Sequence, residues 1–212
     1  MRLFSYCVKI DDGAAPNPFW GICTLTICKP IIRRTAKVGD WIFGIGSKNV
    51  FGTDYSGKLV YAMQVTEILT YREYDMFCRK SLQKKIPDIK NKDYRRKVGD
   101  CLYDYCSGSR VLQRPGVHLK LAKSRDCSGK NALLSDHFYY FGDAAVEVPK
   151  AFSTIIRQGQ GHQLQKNEAI KLDLVEWITS NFQPNKIFGS PQVHIQFIDG
   201  EIRKSCGNAI KC

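Results

Sequence analysis

Val38-Gly39-Asp40-Trp41-Ile42-Phe43-Gly44-Ile45-Gly46-Ser47 is the stretch on which the fold turns. Val38-Gly39-Asp40 reads as a turn. Trp41–Ile45 is apolar on both faces, as a central strand must be. Gly44 and Gly46 fall inside or just after it, and glycine in a strand marks a bulge or a close approach of ligand to backbone. The surrounding chain has 212 residues, 43% of them apolar. That suits one domain, residues 1–212, with a real core. Ten Tyr, eleven Phe and three Trp exclude a disordered chain.

Outward from that strand, Leu3–Ile10 alternates, with Phe4, Tyr6, Val8 and Ile10 on one face, and Gly21–Cys28 alternates again until Pro30 ends or edges it. Lys58–Leu69 reads as one long strand with Leu59, Tyr61, Met63 and Val65 on one face. Thr70 and Glu73 form a capping box, and Tyr71, Tyr74, Cys78 and Leu82 recur behind it at helical spacing. Further on come a strand over Ala132–Tyr140, a short helix over Pro149–Arg157, and a helix over Asn167–Phe182 with the stripe Ile170, Leu174, Trp177, Ile178. A last strand, Gln192–Ile198, turns at Asp199-Gly200 into a short Glu201–Lys204 return. This order predicts an α+β fold: a mixed, mostly antiparallel, partly closed β-barrel with flanking helices.

The net charge is +12 and the pI about 9.3, which favours polyanionic partners, a nucleic acid or a nucleotide. The charge is local. Residues 79–97 hold nine Lys/Arg and two Asp, residues 110–130 six Lys/Arg and one Asp, and the rest of the chain is neutral. Residues 79–130 therefore read as a basic, mobile insertion, either a solvated connection or a flap whose Lys84, Lys85, Arg95 and Arg96 contact phosphates. No apolar run reaches the ~18 residues of a membrane span, and Met1–Ile10 has no leader pattern. Nine cysteines, an odd number, fit reduced thiols. A cytoplasmic protein without a membrane partner is expected.

Several segments are candidates for chemistry. Ala15-Pro16-Asn17-Pro18-Phe19-Trp20 is a stiff loop ending in two aromatics; it can stack a base or cap the core. Gly44-Ile45-Gly46-Ser47-Lys48 can cradle a phosphate or simply turn the chain. Lys29–Lys37 carries Arg33 and Arg34, with phosphate-matching geometry or a merely solvated face. Gly159-Gln160-Gly161-His162 offers an amide for a base edge and a titratable imidazole, or a linker. Asp136 and His137 are adjacent and would point apart on a strand. Cys23/Cys28 and Cys101/Cys106 share C-x₄-C spacing, but an offset of five on a strand points the first pair apart, so no metal is expected. The Walker A and dinucleotide patterns are absent, and no cofactor is expected. No catalytic residue is identified.

Ala15-Pro16-Asn17-Pro18-Phe19, Cys23-Thr24-Leu25, Cys28-Lys29-Pro30, Ile32–Ala36, Val38–Trp41, Gly46-Ser47-Lys48, Leu59–Glu67 and Leu133–Gly142 resemble the nucleotide modification-associated domain family, type two. The likeness is dense over 1–75, in pieces over 130–165, and absent from the basic middle. It implies a bacterial or phage protein linked to modified nucleobases. The order of a G-D-W strand, a V-T-E strand and a helix is also similar, more weakly, to the PUA-like barrels (EVE, ASCH and YTH domains), which implies a base held in an aromatic cage. The expectation is a module that binds a nucleic acid or nucleotide and recognises a modified base, in DNA modification or phage defence. Its site would draw on Asn17, Phe19, Trp20, Arg34, Trp41, Gly46, Ser47, Lys48, Gln160 and His162. The alternatives are an enzyme acting on nucleotides or modified bases, with His162, Asp136 and Asp40 as the first residues to mutate, and a structural subunit of a modification or defence complex.

Overall fold

A computed structural model describes residues 1–108, 110–157, 159–198 and 201–203. The chain begins with strand β1 (Leu3–Val8), then runs through β2 (Cys23–Leu25) and helix α1 (Pro30–Thr35) to β3 (Trp41–Gly46). It continues through β4 (Lys58–Gln64), β5 (Glu67–Thr70), α2 (Tyr71–Ser81), α3 (Tyr94–Lys97), β6 (Tyr103–Asp104), β7 (Leu112–Gln113) and α4 (Lys123–Cys127). The rest is β8 (Asn131–Ser135), β9 (His137–Tyr140), β10 (Val146–Glu147), β11 (Gln163–Leu164), α5 (Glu168–Asn181), β12 (Lys186–Ile187), β13 (Gln196–Ile198) and β14 (Glu201–Arg203).

The expected barrel does not close. The strands form an open seven-stranded mixed sheet ordered β11-β1-β3-β4-β9-β12, with β10 also on β4, and three small sheets: β2-β8-β5, β6-β7 and β13-β14. Two features of the pairing set the observed sheet apart from the expected one. First, β1 pairs with β3 in parallel over its whole length, and a parallel pair needs a crossover; β2 and α1 supply it. Secondly, the sheet ends in the two-residue strands β11 and β12, where Leu164 and Ile187 face solvent at 44% and 42% exposure. The Lys58–Leu69 strand breaks after Gln64, and β5 pairs in the small sheet. Ala132–Tyr140 breaks at Asp136 in the same way, with β8 in the small sheet and β9 in the large one. These two corners tie the sheets together.

The sheet packs on both faces. Phe4, Tyr6, Val8, Ile42, Met63 and Tyr140 lie under the small sheet and Ile32 of α1. Leu3, Trp41, Phe43, Ile45 and Tyr139 lie under Leu174 and Ile178 of α5. Asn167 caps α5 by accepting from the Ile170 amide, and Thr70 and Glu73 form the expected capping box on α2. Leu59 joins the α5 side while Tyr61 and Met63 face the other, because the β3–β4 register slips between Gly44 and Ile45. Gly44 is required there: a Cβ would stand 2.2 Å from the Tyr61 ring. The predicted Asp199-Gly200 turn and Lys204 lie outside the described residues, although β13 and β14 pair as the hairpin requires.

The basic middle is packed into the body of the protein. Val98, Leu102, Tyr103 and Val117 join Ala14 and Phe19 in one apolar cluster. The neighbouring lysines 84 and 85 part company. Lys84 is exposed, with its ammonium 4.7 Å from the Trp20 ring centroid. Lys85 is fully buried, and its Nζ donates to Asn17 O, Asn17 Oδ1, Ile22 O and Thr24 Oγ1 at 2.7–2.9 Å. The expectation that Lys85 contacts phosphate is thus corrected, because its hydrogen-bonding capacity is filled inside the fold. Asp100, also buried, accepts from Thr24, Thr26 and Tyr74 in the same network. Lys85→Met strands those acceptors and removes the cation that faces Asp100. We predict a loss of about 3–5 kcal/mol in urea unfolding, against less than about 1 kcal/mol for Lys84→Met.

Candidate active site

A pocket of about 550 Å³ opens at the C-terminal end of β1. Tyr6 and Val8 form its floor, the turn Ile27–Ile32 one wall, Gly159–His162 another, and Val193 and Ile195 a third. The Ile27–Ile32 turn belongs to the crossover between the two parallel strands, so the topology delivers it to the strand ends, where ligands bind in such sheets.

Cys28 and Lys29 occupy left-handed backbone, with φ of 58° and 37°. Non-glycine residues adopt this only when their surroundings impose it. Here the Cys28 amide donates to Asp126 Oδ1 at 3.0 Å, and its carbonyl accepts from Arg33 Nε at 2.7 Å. The turn leaves the Cys28 sulfur 3.5 Å from Nε2 of His118, while His118 Nδ1 lies 2.5 Å from Asp126 Oδ2. Tyr103 donates its hydroxyl to the same Asp126 oxygen at 2.8 Å. Lys29 folds back over Tyr6, its ammonium 4.3 Å from the ring centroid and 3.3 Å from the Cys7 carbonyl.

Burial works against a charge on His118, but its hydrogen bonds to Asp126 and Cys28 and the nearby negative charge prevail and lift it to about 11. Burial likewise opposes the Asp126 charge, and the His118 contact more than offsets it, so the carboxyl is held below its usual range. The result is an imidazolium–carboxylate pair, the imidazolium largely and the carboxylate fully buried, with its free N–H directed at a thiol in a pocket wall. The donor atoms of Cys28, His118 and Asp126 lie within 4.8 Å of one another, near enough to invite a metal. In this cluster Nδ1 is engaged by Asp126, and both carboxylate oxygens already accept N–H or O–H bonds. Such a set activates a nucleophile and moves a proton.

Of the residues singled out in the sequence, Ser47, Gln160 and His162 line the pocket. His162 packs 5.8 Å from the Phe4 ring, and burial, with Arg157 and Lys29 nearby, pushes its pKa down. The others lie elsewhere. Asn17 is fully buried on Lys85 and on the Val98 carbonyl. Phe19 is core, Trp20 sits beside it, and Trp41 lies on the opposite side of the sheet against Tyr139 and His137, so these three do not build an aromatic cage. Gly46 abuts Tyr55, with its Cβ position 2.4 Å from the Tyr55 carbonyl oxygen, which leaves no phosphate cradle there. Lys48 and Arg34 are exposed, Arg34 bonding to the Ser128 carbonyl. Asp40 is pinned by three bonds from Arg2 and one from the Lys37 amide. Asp136 is exposed at the β8–β9 corner, and His137 bonds to Tyr139.

Behind the pocket floor, Asp11 is fully buried and accepts from Tyr140 at 2.7 Å and from the Gly13 amide. Burial outweighs these bonds and raises its carboxyl to about 7. The folded state therefore holds this proton more tightly than the unfolded chain. The associated stability is full below the ordinary carboxylate range and is lost as pH rises through about 7. Between about pH 5 and about pH 8, Asp11 lowers stability by on the order of 2 kcal/mol. Asp11→Asn is predicted to remove that part of the pH dependence, read as the difference between the two urea unfolding series.

Fold and pocket together define an α+β protein with a strand-end ligand pocket and a thiol–imidazole–carboxylate set in its wall. The chain belongs to the nucleotide modification associated domain 2 family, whose model matches residues 1–199. The match runs through the basic middle, where the resemblance read from the sequence had stopped. No curated protein and no solved structure matches the chain. No helix among the described residues is long and apolar enough to cross a membrane.

Proposed function

We propose that this protein binds one nucleotide unit of a nucleic-acid strand in the pocket at the end of β1, as part of nucleotide modification. The base enters beside Tyr6 and His162, and the flanking phosphates follow the basic face of residues 79–97. One observation carries this reading: Tyr94 joins the two places. Its hydroxyl meets the Asp12 carbonyl at 2.9 Å, the Val193 carbonyl at 3.2 Å and the Ile195 amide at 3.1 Å, and those residues form a pocket wall. Tyr94 opens α3, whose next residue, Arg95, sits 4.8 Å from the Trp20 ring centroid, with Lys84 at 4.7 Å from the same ring. A strand held by Lys84, Arg95 and Arg96 thus runs beside the mouth of a pocket of nucleotide size.

Phosphate contacts make such binding salt-dependent. Fluorescence polarisation with short single-stranded DNA and RNA, and with free nucleotides, across a salt series tests it. The expected result is tighter binding of strands than of free nucleotides. The double variant Lys84→Glu/Arg95→Glu is expected to weaken strand binding by about 10-fold or more and to reduce the salt slope by about 2. Absence of binding to every strand and nucleotide at low salt would contradict the reading.

A further inference from the structure

Cys28 is held both by its backbone and by its sulfur. Its backbone is left-handed, its amide and carbonyl are both engaged, and its sulfur faces a largely buried imidazole that is itself oriented by a buried carboxylate. Ordinary packing needs none of this, because a buried cysteine serves as a small apolar residue without partners. Cys28 and His118 both line the pocket as well, beside whatever fills the space.

We infer that Cys28 is a catalytic nucleophile that cleaves a carbon–nitrogen bond at an sp² carbon of the bound nucleotide, with His118 as proton carrier and Asp126 as its positioning partner. The nucleotide class rests on the function proposed above; the thiol chemistry does not. The His118 imidazolium already carries a proton on Nε2, so the thiol gives its own proton to solvent and the sulfur attacks as the thiolate beside it. The sulfur lone pair forms a C–S bond to the electrophilic carbon, whose π pair moves to its heteroatom. When that pair returns, the C–N bond breaks, and the departing amine takes the proton from Nε2. Water then attacks the same carbon and gives a proton to Nε2. The C–S bond breaks, and the sulfur leaves as the thiolate beside the restored imidazolium. The net change is hydrolysis of the C–N bond. A nitrogen leaving group is singled out because it must be protonated to depart, and a histidine beside the sulfur is placed to do that. Exocyclic amines on base carbons and amides appended to bases are bonds of this kind. The Cys28 amide is committed to Asp126, so charge on the heteroatom must be met by other donors that line the pocket, Gln160 and Arg125.

The test uses the full-length protein and three probes: iodoacetamide, p-nitrophenyl acetate, and a panel of ribo- and deoxyribonucleoside monophosphates with a short single-stranded oligonucleotide. Modified cysteines are identified by peptide mass spectrometry. Cys28 is expected to alkylate roughly 10-fold or more faster than Cys106, an exposed cysteine with no such pair. It is also expected to accept an acetyl group from the ester. His118→Ala is expected to slow both reactions on the order of 100-fold and to shift the pH profile of alkylation. Asp173→Asn, at an exposed position of α5, is expected to leave both unchanged. Should His118→Ala fail to fold, the unaltered protein still decides: Cys28 reacting no faster than Cys106 at any pH, with no acetyl-enzyme, overturns the inference. Protection of Cys28 by nucleotides separates the two proposals. A reactive Cys28 that no nucleotide or oligonucleotide shields upholds the thiol chemistry and removes the nucleotide. An inert Cys28 in a protein that binds nucleotides does the reverse.

Discussion

The guanidinium of Arg33 organises the part of this molecule that matters most. It is fully buried, and its partners are neutral oxygens: the carbonyls of Cys28, Asn131 and Asp126 and the hydroxyl of Tyr71. A buried cation is tolerated only when its donors are satisfied, so these chain segments must converge on it for the protein to fold. The convergence fixes the cysteine turn on one side and the Asp126 segment on the other, and the gap between them is the one His118 fills. Gly129 makes room for the charge, since a Cβ there would stand 2.3 Å from the guanidinium carbon.

The same logic recurs at Lys85, whose ammonium draws together the Asn17 loop and β2 while Asp100 takes the hydroxyls on the other side. Two internal cations, each satisfied mainly by backbone carbonyls and hydroxyls, thus attach the basic middle to the sheet. They explain how a segment with so much positive charge packs as part of the fold. They also separate two uses of that charge: Arg33 and Lys85 hold the structure, while Lys84 and Arg95 remain at the surface around Trp20.

The central strand was legible because Trp41–Ile45 is apolar on both faces, and the α2 capping box and the α5 stripe were legible because both signals are local. The corners at Val65 and Asp136 were not, since apolar alternation runs straight through a bend made only by tertiary pairing. Helix α1 was hidden because Pro30–Thr35 reads as a short charged stretch. Nothing local distinguishes Lys84 from Lys85. Of the pocket, Ser47, Gln160 and His162 were found, because small and titratable residues in turns attract notice. The relay was missed: Cys28 and His118 are 90 residues apart and meet only through the Arg33 convergence. One local signal was present, a cysteine two residues ahead of a helix-opening proline, but it says nothing about His118 or Asp126.

The central claim is that His118 is a largely buried imidazolium joining the Asp126 carboxylate to the Cys28 sulfur. Nitrogen-15 NMR of the histidine ring, followed across pH, measures this directly. The account predicts that both ring nitrogens of His118 stay protonated at about pH 8 and that titration begins only toward about 11. A His118 that loses its proton near the ordinary value of 6.5, or whose shifts do not respond to Asp126→Asn, would contradict it.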